Sequence, residues 1–137
     1  MRVYIASPYI KQQKINNEIN RLLTDNDISV FLPKSLNVDA ITEKEKEDVA
    51  NRCYDEIDKC DAMIIVHPFG LSVAAEIGYA AAQRRQNGNK RKLILYIQDK
   101  TDKERYHNMT HEVMTSPYMD YETDNLDDLL AYIKGCL

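Results

Sequence analysis

The run Ala62 to Val66 (AMIIV) passes directly into the breakers His67, Pro68, Phe69 and Gly70, and these into a stretch rich in helix formers from Ser72. Strand, turn and helix in that order constrain the chain more than any other feature, because ligand sites of α/β folds lie at such strand ends. Ser72 is suited to the N-cap, which would leave the amides of Val73, Ala74 and Ala75 unpaired and facing the loop. Glu76 would then fall within the first turn, where the helix dipole favours an ionised carboxylate. Such a carboxylate could serve as a held nucleophile, and a glutamate that only partners the dipole fits the same position. Ala74, Gly78 and Ala82 recur at i, i+4 and i+8, so this helix could closely approach a sheet or a partner helix.

The remaining chain repeats the alternation. Arg2 to Ala6 (RVYIA) is a short β-type run closed by Ser7-Pro8, read as an N-cap with proline at the first helical position. The helix that follows places Ile15, Ile19 and Leu22 on one face, with Leu23 widening the stripe, and Asp25-Asn26-Asp27 ends it. A second strand runs from Ile28 to Leu32 and stops at Pro33. Lys34 to Ile41 reads as a loop of roughly eight residues, long enough to cover a substrate. Thr42 and Glu45 form a T-x-x-E capping box for a helix with Val49, Cys53 and Ile57 facing inward. Asn87-Gly88-Asn89 ends the helix of Glu76, and Lys92 to Gln98 (KLILYIQ) is a fourth strand. A short helix within Tyr106 to Met114, a weak strand at Tyr118 to Tyr121 and an amphipathic helix from Leu126 to Ile133 complete the reading.

Five strands alternating with helices imply a single α/β domain over residues 1–137. It is a flavodoxin- or Rossmann-like three-layer sandwich whose mostly parallel sheet is covered on both faces. With the order 2-1-3-4-5, the crevice lies between the ends of strands one and three, where Ser7 and Glu76 would meet. Tyr4 and Tyr9 flank the first of these loops; His67, Phe69 and Ser72 flank the second.

Composition narrows the function classes. The 137 residues are 44% hydrophobic, enough for one core and too few for two domains. Net charge is −4, and Lys and Arg are spread between acidic residues except for the short cluster Arg84, Arg85, Lys90, Arg91 and Lys92, a balance that argues against a nucleic-acid groove. No apolar run approaches a membrane span and MRVYIASPY lacks a signal-peptide pattern, so a cytoplasmic location is expected. Cys53, Cys60 and Cys136 have neither disulfide nor zinc spacing and read as reduced thiols. His107 and His111 are four apart with Glu112 beside them, yet no third ligand stands out, so no metal is expected. Without G-x-G-x-x-G or a P-loop, no cofactor is expected either.

The segments V-Y-I-A-S-P (Val3 to Pro8), C-D-A-M-I-I-V and S-V-A-A-E-I-G-Y-A (Ser72 to Ala80) together resemble the nucleoside 2-deoxyribosyltransferase superfamily, including its 5′-monophosphate N-glycosidase relatives. Asn108-Met109, M-D-Y-E and L-D-D-L-L-A-Y-I are weaker echoes. The resemblance implies a homodimer or higher homo-oligomer acting on a small nucleoside or nucleotide. Glu76 would be the catalytic nucleophile toward the anomeric carbon and Tyr4 its neighbour. Ser7 and Pro8 would lie beside the sugar or phosphate, and Asn108 would match a residue supplied by the neighbouring subunit. Tyr9, His67, Phe69, Gly70 and Ser72 complete the expected substrate-binding set.

Two departures stand out. Where similar proteins carry an aspartate eight residues before the one that opens strand three, this chain has Cys53, and where they often carry Asp or Ser six residues before the glutamate it has Gly70. Asp55 could stand in for the first only with a shift of register, and helical periodicity puts it on the outer face. His67 is the nearest other titratable group. Two function classes follow: an enzyme that cleaves or transfers an N-glycosidic bond through Glu76, or a non-catalytic nucleotide-binding module of the same fold.

Overall fold

A computed structural model describes residues 1–8, 11–33, 42–98 and 114–136. Five strands and four helices alternate through them: β1 (Arg2–Ala6), α1 (Gln13–Thr24), β2 (Ser29–Phe31), α2 (Glu43–Lys59), β3 (Ala62–His67), α3 (Leu71–Asn87), β4 (Lys92–Ile97), β5 (Tyr121–Thr123) and α4 (Leu126–Gly135). The sheet order is β2-β1-β3-β4-β5 and every pairing is parallel, as the alternation of elements implies.

Strand side chains alternate between two apolar layers, which explains why β1, β3 and β4 are nearly continuous apolar runs. Val3, Ile5, Ile64, Val66 and Ile94 face one layer with Ile15, Ile19 and Leu23 of α1 and Leu129 and Ile133 of α4. Tyr4, Ala6, Met63, Ile65, Leu93 and Leu95 face the other with Ile57 of α2 and Val73, Ile77 and Ala80 of α3. Ile64 and Ile94 are completely buried, and each such side chain stabilises the fold by about 1.5–3 kcal/mol relative to exposure.

Local sequence accounts for several helix ends. Glu45 N donates to Thr42 Oγ1 at 3.1 Å and the Thr42 hydroxyl faces the Glu45 carboxylate, which starts α2 as the capping-box spacing requires. Gly88, at φ 65°, supplies the left-handed residue that closes α3. Asn125 caps α4 by accepting from Asp128 N at 3.0 Å.

Other boundaries differ from expectation. α1 begins at Gln13, not after Ser7-Pro8, because the Pro8 carbonyl accepts Gln12 N and the chain turns before the helix starts. α3 begins at Leu71 with Gly70 as N-cap, since glycine can cap through its backbone alone and no side chain has to wait for Ser72. The small residues Gly78 and Ala82 lie on the exposed side of α3 while Val73, Ile77, Ala80 and Ala81 pack inward, so the stripe does not serve contact with the sheet. The last strand is Tyr121–Thr123; Ser116–Tyr118 form a 3-10 turn held by Pro117. The proposed loop 34–41 and most of the short helix expected at 106–114 lie outside the described residues.

Glu56 is an unexpected core residue. Its side chain is 1% exposed and receives Arg2, with Arg52 at 3.2 Å and Lys59 at 3.7 Å. Arg2 thereby ties α2 to the start of β1, and Arg52 and Lys59 complete the charge around the one carboxylate.

Candidate active site

β1 and β3 are neighbours whose following helices cover opposite faces, so a crevice opens beyond their carboxyl ends. Tyr4, at the centre of β1, points into the α2/α3 layer and is fully buried. Its ring stacks on Phe31 of β2, with centroids 5.5 Å apart and planes inclined by 21°. The Arg52 guanidinium lies over Phe31, 5.8 Å from the ring centroid.

Glu76 approaches the Tyr4 hydroxyl from the second turn of α3. The shift of the helix start to Leu71 moves it out of the first turn, which contains no acidic residue. Its electrostatics are accordingly set by burial and not by the helix dipole. Burial pushes the Glu76 carboxyl up to about 7, and the neighbouring Tyr4 hydroxyl opposes part of that rise. The expectation of a dipole-stabilised carboxylate is thus replaced by a carboxyl that changes charge near neutral pH. The Tyr4 phenol is itself raised, first by burial and then by the charge of Glu76, so it remains a neutral hydroxyl. Tyr4 Oη and Glu76 Oε2 are both buried and, among the described residues, neither makes a hydrogen bond of good geometry. The pair is adjacent without being locked, an arrangement in which both polar atoms can turn to a ligand.

Cys53 is the third member. The periodicity of α2 carries its thiol, half-buried, against the Tyr4 hydroxyl and near Glu76. Burial raises the thiol, contact with Tyr4 opposes the rise, and the charge of Glu76 adds to it, so the sulfur stays protonated at neutral pH. Asp55 is exposed, as its position on the helix implied. On α2 it is therefore Cys53, and not Asp55, that faces the crevice.

The other expected residues spread along the rim. Ser7 follows β1 and is buried; its hydroxyl makes no hydrogen bond among the described residues, so it does not bond to Glu76. Pro8 and Phe69 are half-buried, and Phe69 packs on the α2/α3 layer. His67 is 1% exposed at the end of β3. Gly70 and Ser72 are exposed at the mouth of α3. Gln12 Nε2 donates to Pro68 O at 3.3 Å and joins the two loops across the crevice. Tyr9, Asn108, His107 and His111 lie outside the described residues, among which no group of three His, Cys, Asp or Glu could hold a metal ion.

Asn16 escaped the sequence reading. It is 1% exposed on the inner face of α1, and neither amide atom has a hydrogen-bond partner among the described residues. Its signal was a polar residue set between Ile15 and Ile19 on an otherwise apolar face, four residues after Gln12.

The family model for nucleoside 2-deoxyribosyltransferases matches residues 3–125, nearly the whole chain and every element of this site. The chain belongs to that family. Solved structures of similar fold agree. A 2-deoxyribosyltransferase from Bacillus psychrosaccharolyticus superposes with a TM-score of 0.67 at 15% identity, over 94% of this chain and 90% of the other. A Leishmania mexicana 2-desoxiribosyltransferase gives 0.61 at 21%, over 96% and 95%. The Clostridium botulinum CMP N-glycosidase BcmB gives 0.58 at 18%, with both chains covered completely. No curated protein matches the chain by sequence. In this member of the nucleoside 2-deoxyribosyltransferase family, Glu76 and Tyr4 lie side by side, with the Cys53 thiol beside them.

Proposed function

We propose that the protein cleaves or transfers the N-glycosidic bond of a nucleoside or nucleoside 5′-monophosphate, with Glu76 as nucleophile. One oxygen of the ionised carboxylate bonds to the anomeric carbon while the bond to the base nitrogen breaks and its electron pair leaves with the base. Water, or the nitrogen of a second base, then opens the glycosyl ester and regenerates the carboxylate. The observation that carries this reading is the buried Glu76 carboxyl set against the Tyr4 hydroxyl at the carboxyl ends of β1 and β3. A carboxyl held near 7 is substantially ionised at neutral pH and still poorly solvated, which favours attack. Tyr4, kept neutral, can donate to the carboxylate and orient it.

Cys53 favours the second reading, a nucleotide-binding module without turnover, because a protonated thiol is a much weaker proton donor to a leaving base than a carboxylic acid. Family membership and the retained Glu76–Tyr4 pair support the enzyme. The exposed small-residue side of α3 supports a homodimer with that helix near the boundary, and the reading includes cytoplasmic action on free nucleosides or nucleotides.

The test is a panel of nucleosides and 5′-monophosphates assayed for released base, with and without an acceptor base. Release that disappears in Glu76→Gln supports the enzyme. Tight binding with no release from any member of the panel supports the module.

A further inference from the structure

At the end of the sheet opposite Glu76, a cleft of about 540 Å³ lies between the C-cap of α2, the turn after α3 and the start of β4. That is within the usual range for a small-molecule site. Four cations line it, Lys59, Lys90, Arg91 and Lys92, against two carboxylates, Asp58 and Asp61. The excess of positive charge is local, since the whole chain carries −4.

Arg91 is the built element. It is 4% exposed, yet among the described residues no carboxylate lies within ion-pair distance of its guanidinium. Nη1 donates to Gln83 Oε1 at 2.6 Å and Nε to Cys60 O at 3.3 Å, while Nη2 has no hydrogen-bond partner among the described residues. A buried cation satisfied only by neutral acceptors is costly unless a counter-charge arrives. The two carboxylates are engaged elsewhere: Asp58 accepts from the Tyr79 hydroxyl and Gln83, and Asp61 accepts from Arg2 N. Lys90 and Lys92 make no ion pair among the described residues and flank Arg91 in sequence and at the cleft wall.

We propose that this cleft binds the phosphate of a small phosphorylated molecule, at a second site separate from the Glu76 crevice. A buried guanidinium in the cleft wall without a carboxylate partner, with Lys90 and Lys92 beside it, suits an anion with several acceptor oxygens and more than one charge. The cleft is far larger than a bare ion, and Met1, Cys60 and Cys136 supply the less polar wall that an organic ester would cover. The site is independent of the reaction proposed for Glu76.

The experiment follows backbone amide resonances of the full chain during titration with ribose 5-phosphate, inorganic phosphate and sulfate at constant ionic strength. The expected result is saturable shifts at residues 59–61 and 89–92, with the ester binding more tightly than inorganic phosphate and sulfate weakest. In the double variant Lys90→Ala/Lys92→Ala, whose changes fall on side chains without described partners, these shifts should need about tenfold more ligand or beyond, for loss of two charge-assisted contacts. In Glu76→Gln they should be unchanged. Equal response to all three anions, shifts confined to the Glu76 end, or full binding by the double variant would each overturn the proposal.

Discussion

Glu76→Gln should stabilise the protein, and only above a definite pH. The Glu76 carboxyl ordinarily ionises near 4.5 and burial lifts it to about 7 in the folded chain. Because the folded state resists ionisation, stability is greatest below about pH 4.5. It falls as pH rises toward 7, and above 7 the whole penalty is present. A shift of about 2.5 units corresponds to roughly 3 kcal/mol at most. Relaxation and water entry reduce it, so a gain of about 1–3 kcal/mol at pH 8 is expected. Glutamine has nearly the same shape, never ionises, and so escapes the penalty. For a chain of this size each kcal/mol moves the melting temperature by about 3–4 °C, so the variant should melt roughly 3–10 °C higher at pH 8 and within a degree or two of wild type at pH 5. Base release should meanwhile fall by several orders of magnitude if the carboxylate is the nucleophile. Thermal melts of both proteins from pH 5 to pH 8.5, with the release assay alongside, read the two effects separately. A melting difference that does not change with pH would refute the burial argument. Near-normal turnover would refute the nucleophile.

Tyr4→Phe removes the hydroxyl that holds the Glu76 carboxyl down, so the acid limb of kcat/KM should move above pH 7; a limb that stays put or moves lower contradicts the contact. Cys53→Asp returns a carboxyl to the site and should speed release of bases that leave poorly without protonation, measured as relative kcat/KM across the nucleoside panel; no change for any base would show that the thiol is not what limits proton supply. Ile64→Ala empties a fully buried position in the central strand and should cost about 2–5 kcal/mol by chemical denaturation. Sedimentation at micromolar concentration should find a homodimer at least, and a monomer would argue against the α3 contact.

The strand order was legible because it follows from long apolar runs alternating with helical periodicity, signals that tertiary context seldom reverses, whereas Tyr4 beside Glu76 was implied only by the family resemblance. The helix starts were harder to read. Ser72 and Ser7 look like N-caps locally, but a glycine two residues upstream and a proline carbonyl one residue downstream satisfied the backbone first. The charge state of Glu76 was misread for the same reason: a start two residues earlier changes which turn the glutamate occupies, and burial then outweighs the dipole. Glu56 was invisible because Arg2, its partner on β1, reaches it only after α2 docks, and the spacing to Arg52 and Lys59 on its own helix is equally that of an exposed pair. Asn16 was hidden by lying in an apolar stripe that was read as uniform.

The strands at the two margins of the sheet, β2 and β5, are three residues long, whereas the inner strands have five or six. A margin so brief presents few open backbone donors and acceptors, too few to template an added strand from another chain. Copies of this protein are thereby steered away from joining sheet to sheet, the route that leads to open-ended fibres, and toward contacts made by helical faces, which can close on themselves as a finite assembly.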